Sequence, residues 1–385
     1  MATGKDNIGS NGSTISFIGT GDCGPTHGPK DGFTIEQYTE LVVPTLQAVD
    51  LRFSNCERQY SRRGASTRDA SEEQMPHGRQ PPEMAKIFTD CGFQAVTIAN
   101  NHMYDYGPEA LLDTRALLLE KGIAVTGAGK DLAQAREPAI VECKGIKVGF
   151  LGYSSVMPDG AEAGPNKVGV ARLRVNTTYE GRGPHSPARV LTTPNQEDVD
   201  MILEDIRLLR PKVDVLIVAL HWGSAFIPRV IADYQVTAGH AIIDAGADMI
   251  IGHHPHILKA IEVYKGKAIF YSLNALCMTK PTPNRAWSSK PWEHGALRNH
   301  QDLDPTMPLY PYGRHSARSL LAKAVFSKKG VESVSFIPLW TDTKYRPEVV
   351  IRSDPRFQDM IEYMDWCSEG FEHRFVAEGD EVRVC

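Results

Sequence analysis

The sequence predicts an α/β fold of layered sheets and helices, and three observations carry that prediction. Apolar, strand-like runs alternate with helical stretches such as Pro108 to Lys121 and Pro194 to Arg210. Five of the apolar runs stop abruptly at residues with oxygen or nitrogen donors, which is where open α/β sheets bind their ligands. At 385 residues and 42% hydrophobic content, the chain can bury a sizeable core in a single domain. No linker divides it, and no internal repeat or low-complexity segment is visible.

The first run, Ile15-Ser16-Phe17-Ile18-Gly19-Thr20-Gly21-Asp22, ends on a carboxylate, although Gly21-Asp22 alone is a turn dipeptide. The second alternates Val49, Leu51 and Phe53 and delivers Ser54-Asn55-Cys56-Glu57; a lone glutamate there would be an ordinary exposed residue. The third, Ala95 to Ala99, leads into Asn100-Asn101-His102, followed by Asp105 and Gly107. An asparagine of that pair could equally cap the helix starting near Pro108. The fourth, Val213 to Leu220, ends on His221-Trp222-Gly223. The fifth, Met249-Ile250-Ile251, opens into Gly252-His253-His254-Pro255-His256, which places three imidazoles at a strand mouth. A proline-broken turn with solvent-facing histidines is the alternative for this segment alone. Five strand ends of one kind point instead to a shared site.

Carboxylate, amide and imidazole donors without thiolate suit Mn, Fe or Zn better than Ca or Mg, which take all-oxygen shells. Six candidate ligands exceed what one tetrahedral zinc accepts. Two ions about 4 Å apart, sharing a bridging carboxylate, is the simplest count.

The order Gly-Asp, Asn-x-Glu, Asn-Asn-His-x-x-Asp-x-Gly, His-Trp-Gly and Gly-His-His-Pro-His resembles the CapA/PgsA-like family of poly-gamma-glutamate capsule synthesis, within the calcineurin-like metallophosphoesterase superfamily. It spans about Ile15 to Leu273 and includes the strand near Ala322 to Phe326. The resemblance sharpens the fold to a four-layer α-β-β-α sandwich of mixed sheets with long loop insertions. One domain is expected over 14–345, interrupted near 158–196 and 280–315, with a C-terminal helical extension over 346–385. In that extension Phe357, Met360, Ile361 and Met364 recur at helical spacing, with Trp366 expected to help pack the helix.

Carried over by position, the resemblance makes Asp22 the carboxylate of the first metal, Glu57 the bridging carboxylate and Asn101 the amide ligand of the second. His221, His254 and His256 become the imidazole ligands. His254 and His256 are paired on the expectation that residues two apart on an extended strand share a face. His253 and Asn55 then support the ligands from behind. His102 matches a histidine that meets the substrate or leaving group, and Asp105 is placed to orient it; Asp105 also suits the start of the following helix. The implied chemistry is hydrolysis by a hydroxide bridging two divalent or trivalent transition-metal ions, with no covalent intermediate.

Departures from the family pattern are expected on the substrate side. Ser224-Ala225 stand where a glutamate is common, and Asn274-Ala275-Leu276 where Gly-Asn-Phe is usual. The 158–196 insertion is rich in Gly, Pro, Asn and Arg with little periodicity. The second carries Trp287 and Trp292 among aromatic and basic residues, as a lid over an anionic or aromatic substrate would. A surface excursion or an oligomer contact fits that loop equally, so a homo-oligomer is an open expectation. Arg58, Arg62, Arg63 and Arg68 follow Glu57 closely and could clamp a phosphate or carboxylate, with Trp222 as a further candidate beside the substrate. A solvated loop is the alternative for the arginines.

A net charge of −5 leaves no basic footprint for nucleic acid, and no apolar run approaches the roughly 20 residues that cross a membrane. The segment Met1 to Ile8 lacks the apolar core of a secretion signal. Seven cysteines without a CxxC pair fit reduced thiols, so a cytoplasmic chain is expected. Cys23 and Cys56, next to expected ligands, should face the core.

The leading expectation is therefore a dinuclear metal-dependent hydrolase of a small anionic phosphoester. Hydrolysis of an amide, ester or lactone bond, or of a capsule-related poly-gamma-glutamate substrate, is the second. A noncatalytic partner in capsule synthesis is the third.

Overall fold

The computed structural model describes residues 13–26, 32–67, 79–279 and 314–385. One side of a ten-stranded mixed sheet is built from the parallel strands Ile15–Gly24, Leu51–Cys56, Ala95–Thr97 and Ala124–Thr126, the last at its edge. Arg318–Ser327 and Gly330–Thr341 continue it antiparallel beyond Ile15–Gly24. A six-stranded sheet runs Ile261–Tyr264, Lys267–Phe270, Met249–His253, Val215–His221, Ile146–Ser154 and Ala139–Cys143. Its four inner strands are parallel and its two edges antiparallel.

Side-chain alternation builds four layers from these two sheets. Phe17, Phe53, Phe150, Ile217 and Ile251 point into one shared cluster between them, where the Phe53 and Phe150 rings stack at 4.6 Å. Their neighbours point outward. Ile18 and Val96 pack with Leu111 and Leu118 of the helix Gly107–Glu120. On the other side Val218 and Ile250 pack with Ile202 and Ile206 of the helix Gln196–Leu209 and Ile242 of the helix Asp233–Asp244. Strands covered on both faces read as continuous apolar runs, as Val215 to Leu220 do. The order helix, sheet, sheet, helix is thus the expected α-β-β-α sandwich.

Two segments differ from expectation. The 158–196 insertion is structured: Gly169–Val170 pairs with Ala128–Gly129, and Val175–Glu180 forms a hairpin with Arg189–Pro194. Both faces of that hairpin are largely exposed. Its strand signal lies in β-branched content, Val175, Thr177, Thr178, Val190, Thr192 and Thr193, and not in apolar alternation. The region after 346 is more than a helical extension. Its helix Arg356–Ser368 buries Phe357, Met360, Tyr363, Met364 and Cys367 against the inter-sheet core, whereas Trp366 is 41% exposed. Pro347–Val349, Phe375–Glu378 and Glu381–Val384 add strands to the large sheet. The last two join through a tight turn at Gly379-Asp380, where Gly379 takes a φ of 65°.

Trp287 and Trp292 lie outside the described residues, as does Arg68. Among the described residues no helix is long and apolar enough to cross a membrane.

Candidate metal centre

The parallel strands bring their carboxyl ends to one edge of the sandwich. Asp22 stands opposite Asn55 in register, Asn55 opposite Thr97, and in the other sheet His221 opposite His253. The pairing of Ile15–Gly24 with Leu51–Cys56 slips between Gly19 and Asp22, and a bulge of this kind re-aims the side chain that follows. Gly21 permits it: a Cβ there would stand 2.2 Å from the carbonyl oxygen of Asn274. That same oxygen accepts the Asp22 N–H at 2.9 Å.

Asp22, Glu57 and His221 are buried and present donor atoms that all lie within 4.8 Å of one another. His221 Nε2 is 3.5 Å from Glu57 Oε1 and 2.8 Å from Asn101 Oδ1. His256 spans the two carboxyls, with Nδ1 3.6 Å from Asp22 Oδ2 and Nε2 3.7 Å from Glu57 Oε1. The His254 ring lies 5.0 Å from that of His221, and its main-chain N–H donates to Asp22 Oδ2 at 3.1 Å. The six residues expected as ligands thus lie in one neighbourhood, in which Asp22, Glu57 and His221 form the close donor group.

The reason expected for pairing His254 with His256 is corrected. The strand ends at His253, so its alternation does not reach them. Both instead adopt left-handed backbone, φ 96° at His254 and 52° at His256. Such conformations are costly outside glycine and cluster at functional sites. His253 is the last strand residue, and its Nε2 meets the carbonyl oxygen of Thr20 across the sandwich at 3.1 Å.

Burial sets the electrostatics. It pushes the Asp22 carboxyl up to about 7, against hydrogen bonds from Asn55 and His254 that favour the charged form. Burial, then the Asp22 charge, raise Glu57 well above the usual carboxylate range. Burial, then neighbouring imidazoles, hold His221 well below the usual histidine value. Neither Glu57 oxygen makes a hydrogen bond among the described residues. A buried carboxyl with both oxygens unmet, ringed by imidazoles and a second carboxyl, fits a cation that restores its charge.

Asn55 supports the cluster: Nδ2 donates to Asp22 Oδ1 at 2.8 Å and lies 3.3 Å from His221 Nδ1. Two supports were missed. Asn100 donates to Asn55 Oδ1 at 3.0 Å and to the Cys56 carbonyl at 2.9 Å, and accepts the His102 N–H at 3.1 Å. The Asn-Asn doublet signalled it, but helix capping competed as an explanation; the helix Gly107–Glu120 has no side-chain cap. Gln59 donates to the Met103 carbonyl at 2.8 Å and accepts the Tyr106 N–H at 2.7 Å, gripping the loop of His102. On that loop His102 Nδ1 lies 2.8 Å from Asp105 Oδ2, and its Nε2 lies 3.2 Å from Asn101 Nδ2.

Several expected substrate contacts lie elsewhere. Trp222 is buried in the outer core, its Nε1 donating to the Tyr271 carbonyl at 3.0 Å and its ring stacking on Tyr271. Arg62 pairs with Glu83 at 2.5 Å and Arg63 with Asp113, both at the surface. Side chains this exposed find nearby carboxylates before any buried anion. Arg58 alone of the three is buried. Cys23 and Cys56 face the helix-side core, as expected.

The departure at Asn274 is not on the substrate side. It is buried, carries the carbonyl that holds Asp22, and donates to the Ser316 and Arg318 carbonyls at 2.8 and 2.6 Å. After Ser224-Ala225, the Phe226 N–H bonds the Pro255 carbonyl at 2.9 Å and its ring stacks 5.7 Å from His256. Both departures thus pack against residues of the candidate metal centre.

The model of the family described as "Bacterial capsule synthesis protein PGA_cap" matches residues 16–277. The chain is 31% identical over 198 residues to the PGA biosynthesis protein CapA of Bacillus subtilis, covering 51% of this chain and 46% of that protein. It is 34% identical over 199 residues to a probable polyglutamine synthesis accessory protein of Mycobacterium tuberculosis, covering 50% and 47%. The chain spans about half the length of the curated relatives it matches. Among solved structures, a hypothetical protein from Thermus thermophilus aligns at a TM-score of 0.42 and 15% identity, covering 85% of this chain and 98% of that one. The calcineurin-like phosphoesterase YfkN from Bacillus subtilis aligns at 0.38 and 13%, covering 88% of each.

Proposed function

The chain belongs to the bacterial capsule synthesis protein PGA_cap family, and from that membership we propose that it is a metal-dependent hydrolase acting on a small anionic phosphoester. The observation that carries this reading is Glu57, a buried carboxyl with no hydrogen bond to either oxygen among the described residues, beside Asp22, His221 and His256. Two Mn, Fe or Zn ions fit this donor set. Asp22, Glu57, Asn101, His221, His254 and His256 would hold them. Bound there, such ions would lower the pKa of water and stabilise negative charge on reacting oxygens.

The chain's own residues supply the rest. Asn55 and the His254 N–H orient Asp22, and the Asn274 carbonyl fixes its main chain. Asp105 holds Nδ1 of His102, and Nε2, 3.2 Å from Asn101 Nδ2, is the nitrogen that would pass a proton to the leaving oxygen. Gln59 and Asn100 keep the His102 loop in place.

A second reading, hydrolysis of an amide or ester bond in a polyglutamate-related substrate, draws on the printed names of the relatives, which concern PGA and polyglutamine synthesis. An accessory role without catalysis has one such name in its favour. The buried His102–Asp105 pair counts against it, because metal binding alone does not call for that pair.

The deciding experiment is metal content by mass spectrometry on protein purified without chelator, with turnover of phosphomonoesters and phosphodiesters by wild type and His102→Ala. Two transition-metal equivalents, with turnover lost in the variant, support the proposal. Two equivalents with turnover only of γ-glutamyl amides or esters favour the second reading. Failure to take up metal even after reconstitution overturns both.

A further inference from the structure

Arg58 sits between two kinds of neighbour and satisfies neither completely. The residue is 1% exposed. Nη1 donates to the main-chain carbonyl of Glu57 at 3.1 Å, whereas Nε and Nη2 have no hydrogen-bond partner among the described residues. Guanidinium stays protonated in proteins, so this is a buried cation with two unmet donors, which is costly unless a partner completes it. Nε and Nη2 also form one edge of the guanidinium, the edge that meets two oxygens of a phosphate or carboxylate side by side. Glycine at position 24 makes room for the side chain, since a Cβ there would lie 2.7 Å from Arg58 Cγ.

Among the described residues the surroundings are short of acceptors. The Tyr60 hydroxyl, also buried and without a hydrogen-bond partner among the described residues, lies within reach of the Arg58 charge. The carboxylate next door does not fill the need. Arg58 takes the main-chain oxygen of Glu57 and leaves both carboxylate oxygens unengaged. A residue placed to neutralise Glu57 would grip the carboxylate itself. The Nη1 bond to the Glu57 carbonyl nevertheless holds the guanidinium next to a residue of the candidate metal centre. Carboxylates open to cations and a guanidinium edge open to an anion, side by side, describe a site for a ligand that bridges both.

We propose that Arg58 is the anion-recognition residue of this site, receiving a phosphate or carboxylate oxyanion of the substrate or product on its Nε–Nη2 edge. The proposal rests on the metal-dependent hydrolase reading and narrows its substrate to one with an oxyanion beside the metal centre. Of the arginines following Glu57, Arg62 and Arg63 are held by surface carboxylates and do not compete for this role.

The test is calorimetric titration of inorganic phosphate and, separately, of L-glutamate into metal-loaded wild type, Arg58→Lys and Arg58→Gln, with metal content measured in each. Arg58→Gln is expected to weaken binding about tenfold or more, as loss of a charge-assisted pair does. Arg58→Lys should weaken it less, and metal equivalents should not change. If phosphate is the anion affected, a phosphoryl group is the natural ligand chemistry; if glutamate, a carboxylate. Equal binding by wild type and a fully metallated Arg58→Gln, or no binding of either anion by wild type, overturns the proposal. Should Arg58→Gln not fold, unchanged anion affinity in Arg58→Lys overturns it equally, because ammonium lacks the two-pronged edge. A wild type that takes up no metal sinks the hydrolase reading, and Arg58-dependent phosphate binding in that protein would still support the anion site.

Discussion

His102 is braced by Asp105: Nδ1 lies 2.8 Å from Oδ2, and both side chains are buried. A carboxylate in that position fixes which ring nitrogen faces the substrate and stabilises the protonated ring. His102→Ala should lower kcat by about 100-fold to 10,000-fold, the range for a lost general acid, with metal content retained. Asp105→Asn should lower it less and shift the limb of the kcat pH profile that reports His102. An Asp105→Asn profile identical in shape to wild type would reduce Asp105 to a structural role.

Asp22 should stabilise or destabilise the protein according to whether metal is bound. Burial raises its folded-state pKa to about 7 from 3.8, so in chelator-treated protein the fold favours the protonated form. Stability from that preference is present below about pH 4 and is lost as pH rises towards 7. Chelator-treated Asp22→Asn should therefore exceed wild type in denaturant midpoint at pH 8, and the two should converge near pH 4. With metal present the order should reverse, because the variant has lost a ligand. The same ranking with and without metal would exclude Asp22 as a ligand.

Gly21→Ala should damage the site through the backbone. The added Cβ would meet the Asn274 carbonyl oxygen at 2.2 Å, and that oxygen holds the Asp22 N–H. Overpacking of this kind costs roughly 1–3 kcal/mol. Thermal denaturation should show the loss, accompanied by reduced metal content. A destabilised variant with full metal occupancy would show that the bulge does not govern Asp22.

Lys259 is a buried ammonium that donates to the carbonyls of Ile227 and Val230, on the loop whose Phe226 stacks on His256. Lys259→Met leaves those carbonyls unmet and should cost about 1–3 kcal/mol in denaturant unfolding. Burial lowers the Lys259 pKa from 10.5 to about 8. A lysine pKa depressed by folding opposes protonation in the folded state, so wild type should gain stability over Lys259→Met as pH rises from about 8 to 10. A difference that stays flat across that window would show that the ammonium is not desolvated.

Much of the sandwich was legible because strands covered on both faces carry long apolar runs. Val215 to Leu220 is one, and its end at His221 was equally visible. Less legible were elements whose partners decide their role. The hairpin Val175–Glu180 with Arg189–Pro194 has no apolar face, so periodicity is silent on it. Trp222 follows a candidate ligand histidine and looks like a substrate contact in one dimension, but its indole is buried on Tyr271. Asn274 looked like a substrate-side change and proved to be the main-chain anchor of Asp22.

By itself the sequence determined which strands end on donor residues and what those donors can bind, because side-chain chemistry and apolar periodicity are local properties. Only the tertiary structure decided how the donors converge. The left-handed backbone of His254 and His256, the bulge before Asp22 and the unmet edge of Arg58 depend on contacts between segments far apart in the chain. Positive φ, close backbone approach and burial of a charge are settled by the neighbours that folding supplies, and no local pattern records them.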